Sequence, residues 1–144
     1  MRLTKFTDYS LRVLIYLAVH HDKHVSVGDI AAAYGISKNH LMKVILFLSA
    51  TDFVITTRGK GGGIKLKVNP EHINIGDVTR KSEVDSVLVE CFSSTISDCR
   101  IESSCLLRDA FRKASDAFYA VLDNYTLADL VTNRATLERL LQVA

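Results

Sequence analysis

Residues 52–68 read DFVITTRGKGGGIKLKV. Asp52 to Thr57 is a run of β-branched and aromatic residues, Arg58 to Gly63 is glycine-rich, and Ile64 to Val68 alternates apolar with basic side chains. The pattern predicts a β-hairpin whose return strand puts Lys65 and Lys67 on one face. Glycine permits the tight turn and a close backbone approach, with Arg58 and Lys60 flanking it. A nucleotide-phosphate loop is the competing reading. The GxxxxGK[ST] spacing is missing, however, and no helical pattern follows to supply an N-terminal dipole.

What precedes the hairpin makes it a wing. Ser26-Val27-Gly28-Asp29 fits a capping box opening a helix through Ala31–Ala33 to Tyr34. Gly35 ends that helix, and Ile36-Ser37 leads into another over roughly 37–50, with Leu41, Val44, Ile45 and Leu48 facing a core. Helix, short glycine-containing turn, helix is the helix-turn-helix signature. By itself it competes evenly with any helical hairpin that has a wet face; the basic hairpin decides for a winged helix. Ser37, Lys38, Asn39, His40 and Lys43 gather at the exposed beginning of the second helix, the part of a recognition helix that reaches base edges. With Arg58 and Lys60 on the wing, they are the candidate DNA-binding residues.

An earlier helix is predicted over 7–20, with Thr7 as N-cap. Phe6, Ser10, Val13, Leu14 and Leu17 share one side, and Leu11, Ile15 and Val19 share the other with Asp8 and Arg12. A helix apolar nearly all round is buried on more than one side. The simplest account of the two charges is an i,i+4 salt bridge. His20, His21 and His24 follow in a polar stretch, read as a solvated loop.

Charge divides the chain. Residues 1–68 carry ten Lys/Arg against four Asp/Glu, a net of +6, and residues 69–144 carry eight against twelve, a net of −4. A basic front half points to a polyanionic partner. No apolar run is long enough to span a bilayer, and MRLTKFTDYS lacks the layout of a secretory signal. The expectation is a cytoplasmic protein without a membrane partner. No nucleotide loop or acid–base constellation points to an enzyme.

Beyond Asn69-Pro70, the segment Ile75 to Arg80 reads as a short helix or turn, and residues 82–104 lose periodicity. A long helix follows from about Ser104 to Tyr125. Leu107, Phe111, Ala114, Phe118, Val121 and Tyr125 form a heptad seam, widened by Ala110, Ala117 and Leu122. The seam is detached in sequence from the winged helix, so homodimerisation is the preferred reading, with two-fold symmetry matching a palindromic operator in double-stranded DNA. Thr126 to Asp129 fits another capping box, and Leu137, Leu140 and Leu141 finish a terminal helix. The expected organisation is a mainly α protein. It comprises a winged helix-turn-helix domain (1–81), a cysteine-bearing loop (82–104), and a dimerisation helix with C-terminal helices (105–144).

All three cysteines, Cys91, Cys99 and Cys105, fall in CFSSTISDCRIESSC, spaced Cys-x7-Cys-x5-Cys. They cannot all pair within one chain, and a reducing compartment keeps them as thiols. Structural zinc usually takes four ligands in closely spaced pairs. An iron–sulfur cluster accepts thiolates at irregular spacing. By spacing alone, the cluster ranks only slightly ahead of a redox thiol.

The chain resembles the iron–sulfur winged-helix transcriptional repressors of bacteria, nearly end to end. The resemblance rests on residues 3–9 (LTKFTDY), 34–40 (YGISKNH), 58–64 (RGKGGGI), 75–78 (IGDV) and 122–131 (LDNYTLADLV). It is strongest to the nitric-oxide-sensitive members. What it implies is a homodimeric repressor holding a 4Fe–4S or 2Fe–2S cluster on Cys91, Cys99 and Cys105, with nitric oxide as signal. In some members an aspartate near the start of the first helix, contributed across the dimer, completes a 4Fe–4S site, and the matching residue is Asp8 of the partner subunit. Another branch uses a histidine three residues after the last cysteine, where this chain has Arg108, which cannot ligate. The x7 gap resembles an iron-responsive branch, which makes iron the alternative signal; a cluster-free thiol regulator on the same scaffold is the other.

Overall fold

The first helix begins earlier than its predicted start. In the computed structural model, which describes residues 2–84, 87–93 and 98–142, α1 runs Lys5–Val19 and its N-cap is Thr4, not Thr7. The reason is tertiary. A capping box needs an acid at the third helical position to accept from the cap's own N–H, and here that position is Thr7. Glu83, far along the chain, supplies the carboxylate instead. Its Oε1 accepts from the Thr4 N–H at 2.8 Å and the Thr4 hydroxyl at 2.8 Å. It also accepts from the Thr7 hydroxyl, which is buried with it.

The helix-turn-helix follows as α2 (Val27–Tyr34) and α3 (Lys38–Ala50). Ser26 and Asp29 form the capping box in both directions. Gly35 ends α2 at φ 64°, a left-handed conformation in which a Cβ is strained. Leu41, Val44, Ile45 and Leu48 of α3 are all buried, as their spacing predicts. Asp52, at φ 63°, turns the chain out of α3 and is held by an ion pair to Lys67 at 2.6 Å.

The hairpin is shorter than the apolar runs suggest: β1 spans Val54–Thr57 and β2 spans Gly63–Leu66, antiparallel, with Val54 opposite Leu66 and Thr57 opposite Gly63. The start of β2, next to the turn, is sewn to the residue ahead of α2's cap, because Val25 and Ile64 exchange backbone hydrogen bonds at 3.0 and 2.8 Å. Gly63 lies against that junction so closely that a Cβ would sit 2.8 Å from the Val25 carbonyl oxygen.

The core is built on α1, whose Val13, Leu14, Leu17 and Val19 are sealed from solvent. Helix α4 (Ile75–Ser82) adds Ile75 and Val78. The C-terminal stretch returns to this core through Leu127 and Leu141, the latter on α6 (Arg134–Leu141). The Thr126–Asp129 capping box is present but opens only a 3-10 turn, Asp129–Val131.

The long helix α5 spans Leu106–Leu122. Its far end is gripped by α4. Arg80 donates two hydrogen bonds to the Asp123 carboxylate at 2.6 Å each and lies over the Tyr119 ring. Gly76 allows this approach, since a Cβ there would overlap Asp123 Oδ1. No residue of α5 is buried. Among the described residues Leu107, Val121 and Tyr125 of the predicted seam are exposed, Phe111 and Phe118 are half-buried, and Leu122 packs against the core.

Two outcomes are expected in urea unfolding. Glu83→Ala leaves the Thr4 and Thr7 donors short of an acceptor and costs about 1–3 kcal/mol, while Glu83→Gln, whose amide oxygen still accepts, recovers part of it. Hydrogen bonds to the Ser26 and Thr126 backbone hold Asp29 and Asp129 below the ordinary carboxylate value of 3.8, and the Arg80 guanidinium does the same for Asp123. Their folded values lie below their unfolded ones. Their contribution is therefore complete above that range and is lost as pH falls through the folded values, so the urea midpoint should drop below about pH 4.

Candidate DNA interface and cysteine segment

Ser37, Lys38, Asn39, His40 and Lys43 are all exposed on the first two turns of α3. Ser37 has a structural duty as well: it is the N-cap, accepting from the His40 N–H at 3.3 Å. Lys38 reaches back beside Gly28 of α2. Arg58 and Lys60 are exposed on the turn between β1 and β2. The helix start and the wing are thus two separate cationic elements of one domain, a layout suited to base contacts from one and phosphate or minor-groove contacts from the other.

Rings connect α1 to this face. Phe6 meets Phe47 edge-on at 5.1 Å between centroids, and Tyr9 lies 6.3 Å from His40. Asp8 is bound to Arg12 at 2.9 Å, with both side chains nearly half exposed, so the predicted salt bridge exists. It opens onto a cavity of about 540 Å³ lined by Arg2, Asp8, Tyr9, Arg12 and Tyr34. Burial pushes the Tyr34 hydroxyl up to about 12, with the Arg12 guanidinium opposing. Tyr34 therefore stays neutral beside the ion pair.

The cysteines lie along one irregular segment. Cys91 sits in the 3-10 turn Glu90–Phe92, Cys99 ahead of the turn Glu102–Ser104, and Cys105 at the N-cap position of α5, without a side-chain cap bond. Residues 85, 86 and 94–97 of the predicted loop, including four of the seven residues between Cys91 and Cys99, lie outside the described residues. The segment is tied together by a side chain and by the backbone. The Asp98 N–H donates to Glu90 Oε1 at 3.2 Å, and the Glu102 N–H donates to the Cys99 carbonyl at 3.2 Å. None of the three thiols is in a disulfide, and two are half-buried. Cys91 opens on a cavity of about 380 Å³ shared with Arg108, Arg112 and Asp116. Among the described residues no three His, Cys, Asp or Glu side chains converge closely enough to hold a metal ion. The structure keeps the thiols on one segment without gathering them, and it leaves Asp8 with Arg12. His20, His21 and His24 do not converge either: His20 stacks on Tyr16, and His21 meets Arg134.

Residues 3–133 match the Rrf2 model, described as an iron-dependent transcriptional regulator. The chain belongs to the Rrf2 family. Relatives include the HTH-type transcriptional regulator NsrR of Bacillus subtilis, 50% identical over 144 residues and covering 99% of both chains. That of Bacillus licheniformis is 49% identical over 142 residues, covering 98% of this chain and 99% of that one. Among solved structures, T. potens IscR superposes with a TM-score of 0.73 at 26% identity, covering 92% of this chain and 88% of that one. Staphylococcus aureus CymR gives 0.71 at 27%, covering 90% and 97%. As an Rrf2 protein, the chain is a DNA-binding transcriptional regulator with a winged helix, not an enzyme. No helix among the described residues is long and apolar enough to cross a membrane.

Two features escaped the sequence. Glu83 reads as one more acid in a polar stretch, and nothing in the local pattern marks it as the cap of α1. Tyr9 reads as an ordinary aromatic, though its neighbourhood with His40 links α1 to the recognition helix. Within the Rrf2 scaffold, Arg58→Ala or Lys60→Ala should weaken duplex binding across sequences and flatten the log–log salt dependence by roughly 0.9 each. Binding isotherms over a salt series check this, and an unchanged slope would remove the wing from the interface.

Proposed function

We propose that the chain is a homodimeric repressor whose grip on a palindromic operator is set by an iron–sulfur cluster that reacts with nitric oxide. The observation that carries this reading is positional. All three cysteines, none in a disulfide, lie on the one segment joining α4 of the winged-helix half to α5, whose Leu107, Val121 and the following Tyr125 are exposed among the described residues. The NsrR relatives, matched over almost the whole chain, support the same signal.

The donor set suits the group. Three thiols on one short segment suit a thiolate-bound cluster, and Arg108 and Arg112, paired with Glu102 and Asp109, line the cavity beside Cys91 with Asp116. Cys91, Cys99 and Cys105 would hold it, and Asp8 of the partner subunit would complete a 4Fe–4S site; a 2Fe–2S cluster is the alternative. When bound, the cluster supplies iron open to attack by a small gas.

The chain's own residues do the rest. The α5 stripe, paired with that of a second copy, sets the two recognition helices at a fixed separation. Within one chain Asp8 is held by Arg12. Serving as a ligand requires it to exchange the guanidinium for a metal, and the start of α1 shifts with it. Tyr9, next in sequence, carries that shift to His40, and the Glu83 cap carries it to the head of the cysteine segment. Lys38, Asn39, His40 and Lys43 then engage the major groove while Arg58 and Lys60 hold the backbone. Loss of the ligands loosens the dimer geometry and releases the operator.

The seven residues between Cys91 and Cys99 favour a second reading, in which iron supply rather than nitric oxide is the signal. Titrating anaerobic protein with nitric oxide, and separately with an iron chelator, while following operator binding separates the two. Release by nitric oxide alone is expected; release mainly by chelator establishes the iron reading. Cys99→Ala should abolish cluster retention and tight operator binding while leaving a folded dimer, and undiminished affinity would remove the sensor role. Asp8→Ala should hasten cluster loss, and an unaltered cluster spectrum and lifetime would assign the fourth ligand elsewhere.

A further inference from the structure

The outward face of α3 is not uniformly polar. Asn39, Met42, Lys43 and Leu46 follow one another at helical spacings of three, one and three, opposite the buried Leu41, Val44, Ile45 and Leu48. Met42 is 46% exposed and Leu46 is 65% exposed. A single exposed apolar side chain needs no explanation. Two stacked one turn apart, in the middle of the face that lysines bracket, do need one. The hydrogen-bonding residues cluster at the start of the helix, and the apolar pair continues their line toward its end.

We infer that Met42 and Leu46 are specificity-determining residues that read the 5-methyl groups of thymines in the major groove. The proposal rests on the reading of α3 as the recognition helix. The charge pattern commits the face to nucleic acid, because Lys38 and Lys43 lie beside the apolar pair and the acidic side chains of α3 number none. The thymine methyl is the apolar group that base pairs offer in that groove. Asn39, one turn earlier on the same line, has the amide geometry that pairs with adenine N6 and N7. An adenine reader followed by two methyl readers makes one consistent demand: consecutive A·T pairs under the centre of the helix. Leucine has no hydrogen-bonding atom and the methionine thioether is only a weak acceptor, so a G·C pair there loses the methyl contact and leaves its polar groups facing mostly hydrocarbon.

The test uses the full-length chain, purified anaerobically, to select duplexes from a random-sequence library. Each thymine of the selected half-site is then replaced singly by deoxyuridine, which removes only the methyl group. At one or two positions the unsubstituted protein should bind about fourfold more weakly, the affinity equivalent of one buried methyl-sized group. Met42→Ala should bind the thymine and deoxyuridine duplexes alike at one such position, and Leu46→Ala at another. Both side chains are exposed, so neither change disturbs the core. Lys43→Ala should weaken both duplexes equally and keep the discrimination. If the unsubstituted protein ignores every methyl while Lys43→Ala still weakens binding, methyl reading is overturned and α3 stands as the recognition helix. Retention of full discrimination by both alanine variants overturns it as well. If Lys38→Ala and Lys43→Ala leave binding unchanged, the recognition-helix reading fails and takes this inference with it.

Discussion

A buried carboxylate on the N-terminus of α1 ties the halves of this molecule together. Glu83 accepts from the Thr4 N–H and from two threonine hydroxyls, so an anion rests where the helix presents unpaired donors and the positive end of its dipole. Glu83 is also the C-cap of α4 and stands at the head of the segment that carries the cysteines. One side chain thus joins the end of the winged-helix domain, the start of its central helix and the approach to the thiols. Buried charge is costly unless fully hydrogen-bonded. Among the described residues no buried side-chain polar atom lacks a partner.

Helix α1 is the member through which the remaining parts meet. Its sealed residues build the core, its Phe6 and Tyr9 rings touch α3, and its Asp8 and Arg12 face outward. The proposed sensor and the proposed DNA interface therefore share a rigid element rather than a flexible linker. Helix α5 is the opposite case. It is fastened at its C-terminal end by Arg80, Asp123 and Tyr119, with Gly76 making room, and among the described residues its Leu106, Leu107 and Val121 stay exposed. A helix so anchored holds its stripe in a defined direction, which is what a two-fold partner requires.

Much of the fold was legible in the residues. The helix-turn-helix is written in local signals: the Ser26–Asp29 box, the left-handed Gly35, and the four apolar residues of α3 all lie where their spacing puts them. These features were readable because each depends on neighbours within one helical turn. The first helix was misplaced at its start for the converse reason. Thr4 and Thr7 are both chemically able to cap, and the choice is made by Glu83, which no local pattern connects to them. The wing strands are shorter than the sequence pattern because Asp52, at φ 63°, bends the chain at the start of β1, although the Lys67 N–H still donates to the Phe53 carbonyl beyond the last strand pair.

The sequence by itself determined the winged helix, the cationic character of its candidate DNA-binding residues, the grouping of three cysteines on one segment, and the apolar stripe of α5. Each follows from short-range periodicity or composition. Only the tertiary structure decided that Asp8 is paired with Arg12, that Tyr9 neighbours His40, and that no three-ligand metal site forms among the described residues of a single chain. It alone placed Glu83 on the end of α1 and left Met42 and Leu46 uncovered on α3. Those outcomes depend on which side chains remain after the core has taken its share, a balance struck over the whole chain and not within any one element.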